Sequence, residues 1–434
     1  MKAARPTLVR AFEYSRVQLP EAWNTATVRE RLDQAALRAG FRAFEIRGRQ
    51  LHALGVVGVV DLGDLIVEIL PRTHEDDTPG EATIFLSELL QFGGVMDRLS
   101  VVDARTSPGE RMLLEIVLAW VVREALSNVR EGLPRRYETR NETSTAVRGR
   151  IEMRQLARRG PGREFELHVR HAPLSEDNAL SRIVRWLLVQ VSSRTRLVAT
   201  RRMAQRVLQD LAHVGDAAPD RRDVQRIVLQ QTELHWRPLL DFADMLLRQV
   251  SPDPTRAGRH DAVAVLFRLH DLFERVLRRV FRDGLPARGL QVHRQSLRLL
   301  SGAAGDGHAA LPLKPDLLFG PQGSVTAVGD AKWKRILDGP SGAASLSEAD
   351  AYQLTTYLAA YRASEGFVFC PTASATADQA PVFQDFTVTG LNARLSITGV
   401  NLPALIARGA RGAAARAALC GHVTGRLIAA SAAA

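Results

Sequence analysis

The stretch Lys314-Pro315-Asp316-Leu317-Leu318-Phe319-Gly320-Pro321-Gln322-Gly323-Ser324-Val325-Thr326-Ala327-Val328-Gly329-Asp330-Ala331-Lys332-Trp333-Lys334 decides how the chain is read. Two short apolar runs flank a Gly-Pro-Gln-Gly turn, which is the composition of a strand, a reversal and a second strand. The first run is expected over 311–319, with Asp316 inside it. Successive side chains of a strand alternate faces, so Asp330, Lys332 and Lys334 share one side while Gly329, Ala331 and Trp333 point to the other. A two-stranded unit then brings Asp316 beside Asp330, with the amine of Lys332 aimed at the same point.

That grouping suits hydrolysis of a phosphodiester. The reaction needs a divalent cation on hard oxygen ligands, a water made nucleophilic, and positive charge where the phosphorane develops. Asp316 and Asp330 offer the oxygens and Lys332 the charge. The chain writes its positive charge almost wholly as arginine, yet three of its four lysines (Lys2, Lys314, Lys332, Lys334) fall in this hairpin. A compact ammonium is wanted here, where a forked guanidinium would not substitute. A bare Asp-x-Lys marks only a solvated strand edge; the prolyl-aspartate at hairpin distance gives it meaning.

Two helices add to the constellation. One is expected over 262–282, where Val263, Phe267, Phe273, Leu277, Val280 and Phe281 fall close to one helical face. Glu274 lies on that apolar side and needs a partner, because an unpaired buried charge is costly. Either it pairs with Arg278, four residues on, or it is a third acidic group near the metal. The second helix is expected to open at Ser345, with Glu348 completing a capping box, and to run to about Tyr361. On it Gln353 and Tyr357 stand one turn apart with Asp350 beside them; alone, such a face is ordinary core.

Together, Glu274, Pro315-Asp316, Asp330-x-Lys332 and Gln353-x-x-x-Tyr357 resemble the PD-(D/E)xK nuclease superfamily, in the branch whose helix carries Gln-x-x-x-Tyr, as in RecB-like nucleases. Further pieces lie upstream: Val56-Val57-Gly58-Val59-Val60, Val67-Glu68-Ile69-Leu70-Pro71-Arg72, Leu133-Pro134-Arg135-Arg136-Tyr137, Val147-Arg148-Gly149-Arg150-Ile151 and Leu174-Ser175-Glu176-Asp177-Asn178. In order, with Leu272-Phe273-Glu274 and Asp350-Ala351-Tyr352-Gln353, they resemble the McrC family, the nuclease subunit of the McrBC 5-methylcytosine-dependent restriction system. The resemblance covers nearly all of 8–402.

The resemblance implies that Asp316, Asp330 and Glu274 serve the metal, Mg2+ with Mn2+ as a substitute. Lys332 would position or activate the water or stabilise the transition state, and Gln353 and Tyr357 would support the site or touch DNA. It also implies a partner, an McrB-like AAA+ GTPase ring that the N-terminal part enters and stimulates. No Walker loop or Gly-x-Gly-x-x-Gly fingerprint follows a strand, so no nucleotide is expected on this chain itself. The basic hairpin around 135–150 is a candidate for ring contact; a DNA-facing or solvent-facing ribbon explains it equally well.

Bulk properties agree. At 434 residues the chain exceeds one ordinary core. The expectation is an α/β multidomain protein: a mixed, β-rich N-terminal region over 1–172 that binds the partner, a helical middle over 173–254, a PD-(D/E)xK restriction-endonuclease-like α/β core over 255–405, and an Ala/Arg-rich tail over 406–434 without assignment. Pro252-Asp253-Pro254 marks the start of the nuclease core. A net charge of +11 fits a polyanion partner, which the resemblance implies to be double-stranded DNA, although an arginine-rich composition can also reflect genome bias. Cys370 and Cys420 are far apart with no His/Cys cluster, which argues against structural zinc and a secreted disulfide scaffold. No signal core opens the chain, and Asp61, Asp64 and Glu68 interrupt its most apolar stretch, so a cytoplasmic protein without membrane contact is expected.

The leading expectation is therefore a Mg2+-dependent endonuclease subunit driven by a ring that has recognised modified DNA. Two other readings remain open: a non-catalytic activator or adaptor of an AAA+ ring, and a standalone RecB-like DNA repair nuclease.

Overall fold

The computed structural model describes residues 6–72, 77–96, 112–137, 139–157, 165–248, 262–297, 312–333, 346–372 and 382–433. It is a mixed α/β chain with several sheets. The first sheet has four strands in the order Thr7–Phe12, Leu65–Leu70, Val56–Asp61, Val263–Arg268. Thr7–Phe12 runs parallel to Leu65–Leu70 and the other pairs are antiparallel. Leu65–Leu70 is buried at every position, which is why it is apolar throughout except for Glu68 and does not alternate. A second, three-stranded antiparallel sheet (Arg16–Gln18, Gln50–Ala53, Phe44–Arg47) and the Ala26–Arg38 helix share a core with this sheet.

The strand Val263–Arg268 overturns the expectation of one helix over 262–282: the helix begins only at Leu269. Val-Ala-Val-Leu is buried at all four positions, so its sequence lacks the period that would separate a short core strand from a helical turn. Pairing decides the matter, and it is intimate: Gly58 has φ 138°, and a Cβ there would stand 2.0 Å from the carbonyl oxygen of Val265. Phe267 thus belongs to the strand and not to the helical face.

Helices Pro79–Phe92, Leu113–Glu131, Ala179–Arg194, Val198–Asp210 and Arg237–Leu247 contribute to the largest core. The end of the helical middle is divided into Arg221–Arg226, a 3-10 turn at Gln231–Trp236, and Arg237–Leu247, which restarts with Pro238 in its first turn. Buried carboxylates tie these layers. Glu68 accepts from Arg10 and from the N–H of Leu113, while Glu115 accepts from the Thr195 hydroxyl and the N–H of Arg196. In place of the local hairpin expected over 135–150, a small ribbon forms in which Leu167–His171 lies between Arg140–Ser144 and Arg150–Ile151 and pairs antiparallel with both, while Arg136–Tyr137 pairs with Leu174–Ser175; Tyr137, Met153, Phe165 and Leu174 are exposed.

The third major layer is a six-stranded sheet, in the order Gln291–Val292, Leu317–Gly320, Ala327–Ala331, Glu365–Pro371, Ala393–Val400, Val382–Val388. Its middle is parallel and its edges are antiparallel. On one face Phe319, Phe367 and Phe369 pack with Phe281 of the Leu269–Gly284 helix. On the other face Val328, Val368 and Ile397 meet Leu354, Tyr357 and Leu358 of the Glu348–Tyr361 helix. The Ala/Arg-rich tail, unassigned from sequence, is a helix, Gly409–Ala433, that buries Ala415, Leu419, Cys420, Val423 and Leu427.

Candidate active site

The hairpin forms as expected, with Leu317 opposite Gly329. The turn is tight: a Cβ on Gly320 would stand 2.0 Å from the carbonyl oxygen of Ser324. Gly329 has a different role, since a Cβ there would lie 2.9 Å from Phe319 Cε2 and 3.1 Å from Phe369 Cε2. The aromatic cluster therefore packs directly beneath the strand that carries Asp330.

Asp316 ends the approach to the first strand, and its Oδ2 accepts from the N–H of Ala331 at 2.8 Å. One bond thus holds Asp316 against the residue between Asp330 and Lys332. Asp330 is buried, and the backbone N–H of Lys332 extends the ladder to the carbonyl of Phe369 at 2.9 Å. The Lys332 ammonium stands 2.8 Å from Asp330 Oδ2 and 3.1 Å from Asp350 Oδ1, and donates to Gln353 Oε1 at 3.2 Å. The Gln353 amide in turn donates to the Tyr357 hydroxyl at 2.9 Å. Gln353 and Tyr357 thus form a relay behind the lysine.

The helix that carries this relay starts later than expected. Ser347, not Ser345, is its N-cap, and its hydroxyl accepts from the N–H of Asp350 at 3.2 Å. The cap works because Ser347 stands three residues before an acid that also reaches back, the Ser347 hydroxyl donating to Asp350 Oδ2 at 2.5 Å. Ser345, Lys334 and Leu311 lie outside the described residues.

Glu274 sits beside the apolar stripe of its helix and is partly exposed. Its pairing with Arg278 forms, and it also lies close to a hairpin acid. Arg278 pairs with Glu274 Oε1 at 2.5 Å and donates to the main-chain oxygen of Asp316 at 2.8 Å, while Glu274 also stands near the Asp316 side chain. His270, Glu274 and Asp316 each offer one ligand atom, and these atoms lie within 4.8 Å of one another. The expected trio was Asp316, Asp330 and Glu274; in this compact group His270 joins instead, and Asp330 Oδ2 faces Lys332. His270 is absent from the sequence expectation, although its signal is there: it precedes Glu274 by four residues and so shares its helical stripe.

The electrostatics show a site short of cation. Burial, then the charge of Asp330, then that of Glu274 push the Asp316 carboxyl up to about 7 from 3.8, against the Ala331 N–H and the Lys332 charge, which lower it. For Lys332 burial alone would lower the pKa, but the hydrogen bond and charge of Asp330, then those of Asp350, outweigh it and raise it. Converging carboxylates with one imidazole fit a divalent ion: the oxygens suit Mg2+ or Mn2+, and the nitrogen suits Mn2+ better. The group has the chemistry to hold such an ion next to a fixed ammonium.

Comparisons place the chain among known proteins. Residues 51–370 match the family model described as McrBC 5-methylcytosine restriction system component. Among solved structures it is similar to the refined half-complex from a tetradecameric assembly of Thermococcus gammatolerans McrB AAA+ hexamers with bound McrC, at 16% identity and TM-score 0.65, covering 96% of this chain and 100% of that one. It is also similar to the Thermococcus gammatolerans McrBC complex, at 16% identity and TM-score 0.49, covering 64% of this chain and 88% of that one. At such identity the first likeness speaks for the fold alone. No curated protein matches the chain. No helix among the described residues is long and apolar enough to cross a membrane.

Proposed function

The chain belongs to the McrBC 5-methylcytosine restriction system component family, and from that premise we propose that it is the McrC-like endonuclease subunit, cutting double-stranded DNA with Mg2+ or Mn2+. The observation that carries the reading is the convergence of Asp316 and Asp330 on one hairpin, tied by the Asp316 to Ala331 bond, with the Lys332 ammonium 2.8 Å from Asp330. A PD-(D/E)xK core explains that geometry, the flanking helices and the Gln353–Tyr357 relay together. We place this core from Leu269 onward, since the preceding strand completes the first sheet.

In this reading Asp316, Glu274 and His270 hold the divalent ion, with Asp330 facing both it and Lys332. The bound ion supplies Lewis acidity and a water acidified enough to attack phosphorus near neutral pH. Lys332, paired with two carboxylates and the Gln353 carbonyl, has no lone pair to spare; it stays an ammonium and stabilises the charge developing on the phosphorane oxygens. For Glu274 to serve as a ligand, its pairing with Arg278 would have to give way.

The partner would be an McrB-like AAA+ GTPase, met by the N-terminal unit in the cytoplasm. The basic segment around 135–150, which carries the exposed Tyr137, Arg148 and Arg150, is the surface we assign to it. Asp330→Ala and Lys332→Ala should each abolish cutting of methylated duplex by the full complex with GTP and Mg2+, while both variants still melt cooperatively and co-migrate with the ring. Cutting that survived in both would overturn the assignment.

A further inference from the structure

We propose that Asp350 is a positioning residue for Lys332: it is the carboxylate that keeps the ammonium at the hydrolytic centre when Asp330 is drawn to a divalent ion. This deepens the nuclease reading above and rests on it. Three oxygens surround the ammonium: Asp330 Oδ2 at 2.8 Å and Asp350 Oδ1 at 3.1 Å as ion pairs, and Gln353 Oε1 at 3.2 Å as a hydrogen-bond acceptor. Only the first also belongs to the acid pair of the hairpin. A divalent ion at that pair withdraws charge from Asp330 and repels the ammonium. The anchors then remaining are Asp350 and Gln353, both on the Glu348–Tyr361 helix and three residues apart, so that they present to the lysine from one face.

Asp350 is built for this. It is buried to 8% exposure, and its other oxygen is held by the Ser347 hydroxyl at 2.5 Å, in the first turn of the helix where a negative charge is favoured. The bond from the Asp350 N–H to Ser347 Oγ at 3.2 Å fixes the same turn from the backbone side. The helix cap and the lysine anchor are therefore one structure. Without Asp350, a loaded ion would leave Lys332 with a single neutral acceptor, free to swing toward the phosphate or away from it.

The test uses the full chain with its ring partner, GTP, Mg2+ and methylated duplex under single-turnover conditions. Asp350→Asn, which keeps size and can still meet Ser347, should slow cutting by about tenfold to a hundredfold, the cost of a misplaced group, with the DNA concentration dependence unchanged. Asp350→Glu should recover a large part of the rate. Ser347→Ala serves as a milder second variant, expected to slow cutting in the same direction and to fold even where the Asn variant does not.

A separate readout needs no cutting. The chain has only four lysines, so 15N labelling of lysine gives few side-chain signals, and Lys332 is identified by its loss in Lys332→Arg. Its ammonium protons should be protected from exchange in Mg2+-loaded wild type and unprotected in loaded Asp350→Asn. Unchanged protection or a wild-type cutting rate in Asp350→Asn would each overturn the proposal. If the wild type does not cut at all, the nuclease reading fails, while the exchange signal still decides whether Asp350 holds Lys332.

Discussion

The indole N–H of Trp333 donates to Glu13 Oε2 at 2.9 Å across 320 positions of sequence. It joins the end of the hairpin, one residue past Lys332, to the end of the first strand of the chain. The other Glu13 oxygen accepts from the N–H of Arg72 at 3.2 Å, and the Trp333 ring meets Phe273 edge-on at 5.8 Å, next to Glu274. The first sheet, the Leu269–Gly284 helix and the hairpin therefore converge on one indole. Trp333→Phe keeps the ring contact and loses the N–H. It should cost about 1 kcal/mol of stability in urea unfolding, the usual net value of one hydrogen bond, and should slow cutting without releasing the ring partner.

A second expectation concerns pH. Asp316 is pushed up to about 7 from 3.8, so across that window the folded, metal-free chain keeps a proton that the unfolded chain has shed. Stability attributable to this group is therefore present at low pH, falls as pH rises from about 4 to about 7, and levels off above. Metal binding runs the other way, because the ligand must be deprotonated. Calorimetry with Mn2+ at pH 6 in buffers of different ionisation enthalpy should show proton release that disappears at pH 8 and is absent in Asp316→Asn. Equal proton release at both pH values would contradict the assignment.

Glu365 starts a central strand of the large sheet with no solvent exposure, paired with Arg394 at 2.6 Å and with Arg426 of the C-terminal helix at 3.2 Å. Glu365→Ala removes the charged acceptor of both arginines while Arg426 keeps Asp385 and Arg394 reaches solvent, so it should destabilise by about 1.5–3 kcal/mol. Hydrogen exchange should rise along Gly409–Ala433 more than in the first sheet. A uniform rise would mean that the pair does not anchor that helix.

Gly329→Ala tests the packing beneath the site. The added methyl meets Phe319 and Phe369 at about van der Waals overlap, and overpacking of this kind costs about 1–3 kcal/mol. Because the adjacent residue is Asp330, Mn2+ affinity measured by calorimetry should fall with stability. Phe319→Leu in the same chain should restore part of both.

His270 sets the last expectation. Its nitrogen shares a group with Glu274 and Asp316, and nitrogen ligands favour Mn2+ over Mg2+. His270→Asp should shift cutting toward Mg2+ relative to Mn2+ in a metal titration. An unchanged preference would remove His270 from the site.

What could be read from residues alone divides along physical lines. The hairpin was legible because turn chemistry and strand alternation are local: Asp316, Asp330 and Lys332 meet as their spacing implies. Gln353 and Tyr357 were legible as one face, but their contact with Lys332 depends on how a separate helix lies on the sheet. Val263–Arg268 was not legible as a strand, because its partner lies about two hundred residues earlier and a short buried run carries no period of its own. The C-terminal helix was hidden by alanine, whose small side chain gives weak contrast between buried and exposed faces.

That late strand also constrains how the polypeptide comes to be. Since Val263–Arg268 caps the edge of the first sheet, a ribosome must deliver residue 268 before the N-terminal module can close. Until then Val56–Asp61 presents an unpaired, apolar margin, the kind of surface on which nascent chains aggregate. A fragment that stops at residue 250 inherits the same exposed margin for good, so severing the module from the C-terminal half of the polypeptide would yield a sticky half-sheet in place of a working adaptor.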